Sequence, residues 1–166
     1  MSAGVVPPVS ERGEDADGGR PHPGMDEGAP SRARPQLSVL IPVIDEGDNL
    51  ALLLPRLDGV LRAIGCTAEV LVVDGGSRDG TAEVARQLGA RVLMQREPGF
   101  ASALREGFAA AAGEFVLTLD ADLSHDPDFI DALWRAREHA DLIIASRYVA
   151  GGAAIMPWHR HLMSRV

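Results

Sequence analysis

The sequence predicts an α/β fold: a mostly parallel sheet with helices on both faces. From Leu37 onward, short apolar runs of strand length alternate with longer stretches of helical periodicity, the pattern of successive βαβ units. The runs are apolar almost throughout, as strands buried on both faces are. Polar, acidic or glycine-rich clusters follow them, at the end of the sheet where open α/β folds bind ligands.

Residues 1–36 are mainly Pro, Gly, Ser and acids with few large apolar side chains. Such a segment cannot offset an ordering cost of roughly 1–2 kcal/mol per residue, so it reads as a disordered tail. The domain is expected to span 37–166. Its first strand is predicted at Leu37–Ile44, a β-branched run that stops at Asp45 and Glu46. A helix over Asn49–Ile64 follows, with Pro55 expected to kink it or mark its true start. Strands at Glu69–Asp74 and Ala90–Met94 flank a helix at Gly80–Leu88, where the apolar period changes from that of a strand to that of a helix. A helix at Phe100–Ala111, a strand at Phe115–Leu119, a helix at Asp128–Glu138 and a strand at Asp141–Ala145 complete the alternation, which predicts right-handed crossovers. A polar loop from Arg147 to Trp158 and a short helix from His159 to Val166 close the sequence. Leu162, Met163 and Val166 there need something to pack against, which points to a fragment truncated at its C-terminus or to a domain that relies on missing sequence or a partner.

With 166 residues and 46% hydrophobic content, the chain can bury one sizeable core. A formal charge of -8 argues against nucleic acid as a partner, because phosphate-backbone binding depends on clustered Lys and Arg. The one cysteine, Cys66, cannot form an intramolecular disulfide, and cytoplasmic placement is the default. The first residues have neither a basic start nor an apolar core typical of a signal peptide, and no apolar run approaches the roughly 20 residues of a spanning helix. Peripheral docking at the cytoplasmic membrane face is left open, since it needs only a local patch.

The chemistry concentrates at strand ends. The run Phe115–Leu119 delivers Asp120 and Asp122, two carboxylates that repel each other unless a cation sits between them. A hard divalent ion with oxygen ligands is the natural partner, and it commonly brings substrate phosphates. The structural alternative is Asp120 as the cap of the next helix and Asp122 as a solvated loop acid. After the second strand comes Asp74-Gly75-Gly76-Ser77-Arg78-Asp79-Gly80-Thr81. Its glycines permit close backbone approach, and Asp74 can accept hydrogen bonds from a base or ribose. Asp79 and Thr81 read as structural, with Ser77 or Asp79 capping the following helix. Arg147 follows the last strand and Arg160 lies beyond the loop; each is suited to bidentate phosphate binding or, more simply, to a surface ion pair. His125 and His159 read as loop and rim residues. No G-x-G-x-x-G follows the first strand, which disfavours a dinucleotide fold.

Taken together, Ile41-Pro42-Val43-Ile44-Asp45-Glu46, the Val72–Thr81 segment, Leu119-Asp120-Ala121-Asp122-Leu123-Ser124-His125 and Ala145-Ser146-Arg147-Tyr148-Val149-Ala150-Gly151-Gly152 resemble family-2 glycosyltransferases with a GT-A fold, most of all the dolichol- or polyprenol-phosphate mannosyltransferases. The resemblance implies transfer of a sugar, usually mannose from GDP-mannose, to a polyprenyl phosphate, with Mg²⁺ or Mn²⁺ and inversion at the anomeric carbon. Carried over by motif, Pro42, Glu46 and Asp74 would contact the nucleoside and Asp120 the donor. Asp122, with Asp120, would hold the metal, and Ser124 stands where some members have a metal-binding glutamine. Arg147, Arg160 and Ser164 would gather the donor and acceptor phosphates, and Gly99 to Ala103 would pass near the donor. Ile44, Asp45 and Gly75 depart from the tyrosine, asparagine and second aspartate common in the family. Other readings are an inactive nucleotide-sugar-binding module, the same chemistry with UDP-glucose or another donor, and a dehalogenase-type hydrolase whose D-x-D motif is half matched.

Overall fold

A computed structural model describes residues 4–6 and 34–145. In chain order the elements are β1 (Gly4–Val6), β2 (Leu37–Val43), α1 (Gly47–Ile64), β3 (Ala68–Asp74), α2 (Thr81–Gln87), β4 (Arg91–Met94), α3 (Phe100–Ala110), β5 (Phe115–Thr118), α4 (Phe129–Ala136) and β6 (Ile143–Ile144). They form one sheet in the order β4-β3-β2-β5-β1-β6. The first four strands of that order are parallel, with Val39 opposite Val70 on one side and Leu117 on the other. Their C-terminal ends therefore lie along one edge.

Alternation along the strands sorts side chains to the two faces. Val39, Ile41, Val72 and Leu117 point to one side and pack with Leu50, Leu53 and Leu57 of α1, Ala85 of α2 and Ile130 and Leu133 of α4. Leu40, Leu71, Val73 and Val116 point to the other and pack with Ala103 and Leu104 of α3. Both faces are thus covered, as a parallel sheet requires. Close packing against α3 depends on Gly107, where a Cβ would come within 2.2 Å of Leu40 Cδ1.

The predicted alternation of strands and helices is present from Leu37 onward, with differences of local origin. Gly4–Val6, within the stretch read as a disordered tail, forms β1, inserted antiparallel between β5 and β6; the sheet is therefore mixed. Helix α1 begins at Gly47 and runs through Pro55, so Pro55 is not its start. The ring removes the donor for the Ala51 carbonyl, but both residues lie on the exposed face, where solvent takes that role. The last strand, expected over Asp141–Ala145, is only Ile143–Ile144. The expected helix from His159 lies outside the described residues.

Candidate active site

Two loops at the C-terminal edge are bolted together. The Asp45 N–H donates to Ser77 Oγ at 2.9 Å, and Asp45 Oδ1 accepts the Arg78 N–H at 2.7 Å. Asp45 adopts φ 52°, a left-handed conformation that Asp tolerates better than most residues. Next, the Glu46 N–H donates to Thr81 Oγ1 at 2.9 Å and the Gly47 N–H to Asp79 Oδ2 at 3.0 Å. Two otherwise unpaired donors at the start of α1 are satisfied this way. The other Asp79 oxygen accepts the Thr81 N–H and hydroxyl, and these bonds, the Thr81 hydroxyl foremost, hold the Asp79 carboxyl below its ordinary pKa. Asp79 and Thr81 are structural, as the sequence suggests, but they fasten α1 as well as α2.

Asp74 ends β3 almost fully buried, 1% exposed. Its Oδ1 accepts the Gly76 N–H, the Ser77 N–H and the Ser77 hydroxyl at 3.0, 2.8 and 2.7 Å. Its Oδ2 is enclosed with no hydrogen-bond partner. An unpaired buried carboxylate oxygen costs free energy, and a ligand N–H would relieve it.

Across β2, the sheet hydrogen bonding continues past β5 through the Leu119 N–H to the Leu40 carbonyl at 3.0 Å, and the chain then turns at Asp120. Asp122 Oδ1 accepts the Ser124 N–H at 2.9 Å, while Leu123 between them takes φ 57°. A branched side chain disfavours that conformation; here Leu123 packs against the core, which holds the turn. Burial raises the Asp122 pKa, but the Ser124 side chain and N–H and the His125 charge outweigh it, leaving the carboxyl below its usual value. The N-cap position of α4 is Asp128, whose side chain makes no capping hydrogen bond, so Asp120 does not cap that helix. Arg56 of α1 meets Asp126 at 2.7 Å and anchors the far end of the loop.

These ends enclose a cleft of about 350 Å³ that brings together Pro42, Glu46, Asp120 and Asp122. The N-terminus of α3 supplies Gly99, Phe100 and Ala103. Asp74 is not among the lining residues but is joined to one of them, its carbonyl accepting the Gln95 N–H at 2.8 Å; Ser124 is at the turn after Asp122, with its Oγ 3.0 Å from His125 Nδ1. Arg147, Arg160 and Ser164 lie outside the described residues. Gln95, which directly follows β4, also lines the cleft and was not anticipated; its place at a strand end was the available signal. Among the described residues the lining holds the carboxylates of Glu46, Asp120 and Asp122 and no cationic side chain, and no cluster of three or more His, Cys, Asp or Glu is arranged around a metal position. Asp120 and Asp122 are hard oxygen donors, fitting an ion such as Mg²⁺ or Mn²⁺ that completes its shell with water and phosphate oxygens.

The model of the family described as "Glycosyl transferase family 2" matches residues 38–165. The chain belongs to glycosyltransferase family 2. It is 37% identical to a dolichol-phosphate mannosyltransferase of Pyrococcus furiosus, over 78% of this chain and 38% of that protein. It is also 38% identical to an undecaprenyl-phosphate 4-deoxy-4-formamido-L-arabinose transferase of Edwardsiella ictaluri, over 61% of this chain and 34% of that one. The chain thus spans well under half the length of these relatives. A similar solved structure is glucosyl-3-phosphoglycerate synthase from Mycobacterium tuberculosis in complex with Mn²⁺, UDP and glucosyl-3-phosphoglycerate, at TM-score 0.52 and 26% identity, covering 62% of this chain and 39% of that one. The neighbour's fold supports the GT-A assignment. No helix among the described residues is long and apolar enough to cross a membrane.

Proposed function

We propose that this chain carries the donor-binding domain of an inverting glycosyltransferase that moves a sugar, mannose from GDP-mannose, to a polyprenyl phosphate. The observation that supports it most is the convergence of Asp120 and Asp122 with Pro42 and Glu46 in one cleft at the C-terminal edge of the sheet. Such a cleft binds an anionic diphosphate only when a cation is recruited, and Asp120 and Asp122 are the residues that would hold it. A bound Mg²⁺ or Mn²⁺ would supply Lewis-acid neutralisation of the departing diphosphate.

The remaining work falls to the chain itself. Pro42, Glu46 and Asp74 would position the nucleoside, and the hydrogen-bonded loops at the start of α1 keep Glu46 in place. Arg147, Arg160 and Ser164 would gather donor and acceptor phosphates as hydrogen-bond donors. A polyprenyl phosphate is largely anionic near neutral pH, so its oxygen attacks the anomeric carbon without a strong general base. The bond to the diphosphate breaks as the new one forms, with inversion. The task is positioning. Such an enzyme would work in the cytoplasm against the membrane face that presents the lipid.

Calorimetric titration of GDP-mannose with Mn²⁺, repeated with chelator, tests donor binding, and transfer of labelled mannose to polyprenyl phosphate tests the reaction. Metal-dependent binding with transfer supports the proposal. Binding without transfer would make the chain a nucleotide-sugar-binding module, and failure to bind in a folded protein would sink the assignment. A second reading, with UDP-glucose as donor, is favoured by the structural neighbour described in complex with UDP; a strong preference for UDP-glucose in the same titration would establish it over GDP-mannose.

A further inference from the structure

We propose that Gln95 is a specificity-determining residue for the donor nucleobase, selecting guanine over uracil by accepting a hydrogen bond from the base. The proposal rests on the nucleotide-sugar reading of this cleft. It starts from which end of the Gln95 amide is free. The Nε2 group donates to the carbonyls of Glu97 and, at 2.8 Å, Gly99. Turning the amide over would set Oε1 against two carbonyl oxygens, so Nε2 is committed to the loop and Oε1 is left as an acceptor.

The loop that fixes this orientation is itself held. The Glu106 carboxylate of α3 accepts the Arg96 N–H at 3.0 Å and the Glu97 N–H at 3.1 Å. The Gln95 N–H donates to the Asp74 carbonyl at 2.8 Å, which joins the residue to the end of β3. Gly75 keeps space for the side chain: a Cβ there would lie 3.0 Å from Gln95 Oε1 and 3.0 Å from Ile44. A side chain at position 75 would press on both, so Gly75, Ile44 and Gln95 form one closely fitted corner.

The side-chain hydrogen-bonding groups at this corner are acceptors. Gln95 offers Oε1, Pro42, which also lines the cleft, has no N–H to give, and behind the lining Asp74, whose carbonyl accepts the Gln95 N–H, keeps a buried, unpartnered Oδ2. A base recognised here must present adjacent donors. Guanine does so with its ring N–H and its 2-amino group, whereas uracil presents one N–H between two carbonyls, and those oxygens would face acceptors.

The test is equilibrium titration of the full chain with GDP, inosine diphosphate, which lacks the 2-amino group, and UDP, each with Mn²⁺. Wild type is expected to bind GDP about tenfold more tightly than inosine diphosphate and more tightly still than UDP. In Gln95→Ala the ratio of GDP to inosine diphosphate affinity should fall to near unity. A purely structural role in the loop would weaken all three nucleotides together and leave that ratio unchanged, which overturns the proposal. Tighter binding of UDP than GDP by wild type would overturn it while leaving the glycosyltransferase reading intact, and failure of every nucleotide to bind would remove both.

Discussion

The Gly47 N–H points at Asp79 Oδ2, 3.0 Å away, so the start of α1 is capped by a side chain from the loop after β3. No side-chain cap comes from Glu46, the residue in the N-cap position of α1 itself. Asp79→Ala should therefore loosen two loops at once and lower the thermal midpoint by several degrees. Asp79→Asn, which retains an acceptor for Gly47, should be milder. Because Glu46 shares this clamp, Asp79→Ala should also weaken donor binding; thermal denaturation and calorimetry of the two variants check both effects.

Asp122→Asn separates charge from shape. The asparagine Oδ1 can still accept the Ser124 N–H that Asp122 accepts at 2.9 Å, so the turn and fold should persist. The lost charge should reduce metal-dependent donor affinity by about tenfold or more. Titration with Mn²⁺ alongside circular dichroism provides the check, and unchanged affinity would take Asp122 out of the metal site.

Much of this architecture is legible in the sequence, because a buried parallel strand and an amphipathic helix each impose a period on neighbouring residues. The end of the Phe115–Leu119 run is visible for that reason, and with it Asp120 and Asp122. Strand β1 is not: three residues followed by Pro7 and Pro8 carry no period, and their pairing with β5 and β6 is settled far along the chain. The cross-loop role of Asp79 was hidden for a similar reason, since a capping residue is ordinarily sought beside its own helix. Gln95 escaped because β4 is short and a single polar residue after it has no local signature beyond its place at a strand end; its commitment to Glu97 and Gly99 exists only once the loop is folded.

At the opposite end of the sheet, Glu69 governs an acid-sensitive joint. Ser38, itself buried, donates to Glu69 Oε1 at 2.7 Å, and the Ala112 N–H donates to the same oxygen at 2.7 Å. Burial pushes the Glu69 carboxyl up, but these bonds and Arg91 prevail and hold it below its ordinary pKa. A depressed folded-state pKa stabilises above the unfolded-state value, and that stability is lost as pH falls through the folded-state value. Glu69→Gln keeps one acceptor but loses the charge, and should cost about 1 kcal/mol at neutral pH. It should also flatten the loss of stability on acidification below the ordinary carboxylate range. Urea unfolding at about pH 7 and about pH 3 tests this, the wild-type advantage narrowing at the lower value.

The contact between α3 and β2 leaves no room for a methyl group. A Cβ on Gly107 would approach Leu40 Cδ1 to 2.2 Å and Cδ2 to 2.7 Å, and Leu40 is fully buried beneath the helix, so its side chain has little freedom to swing aside. Alanine's better helix propensity, worth about 1 kcal/mol, opposes this overpacking, which typically costs about 1–3 kcal/mol. The net expectation for Gly107→Ala is a destabilised protein with α3 displaced from the sheet. Since α3 carries Phe100 and Ala103 into the cleft, nucleotide affinity should fall with stability. The double variant Gly107→Ala with Leu40→Val should recover part of both, because the shorter side chain makes way for the methyl; chemical denaturation and GDP titration of the single and double variants measure that coupling.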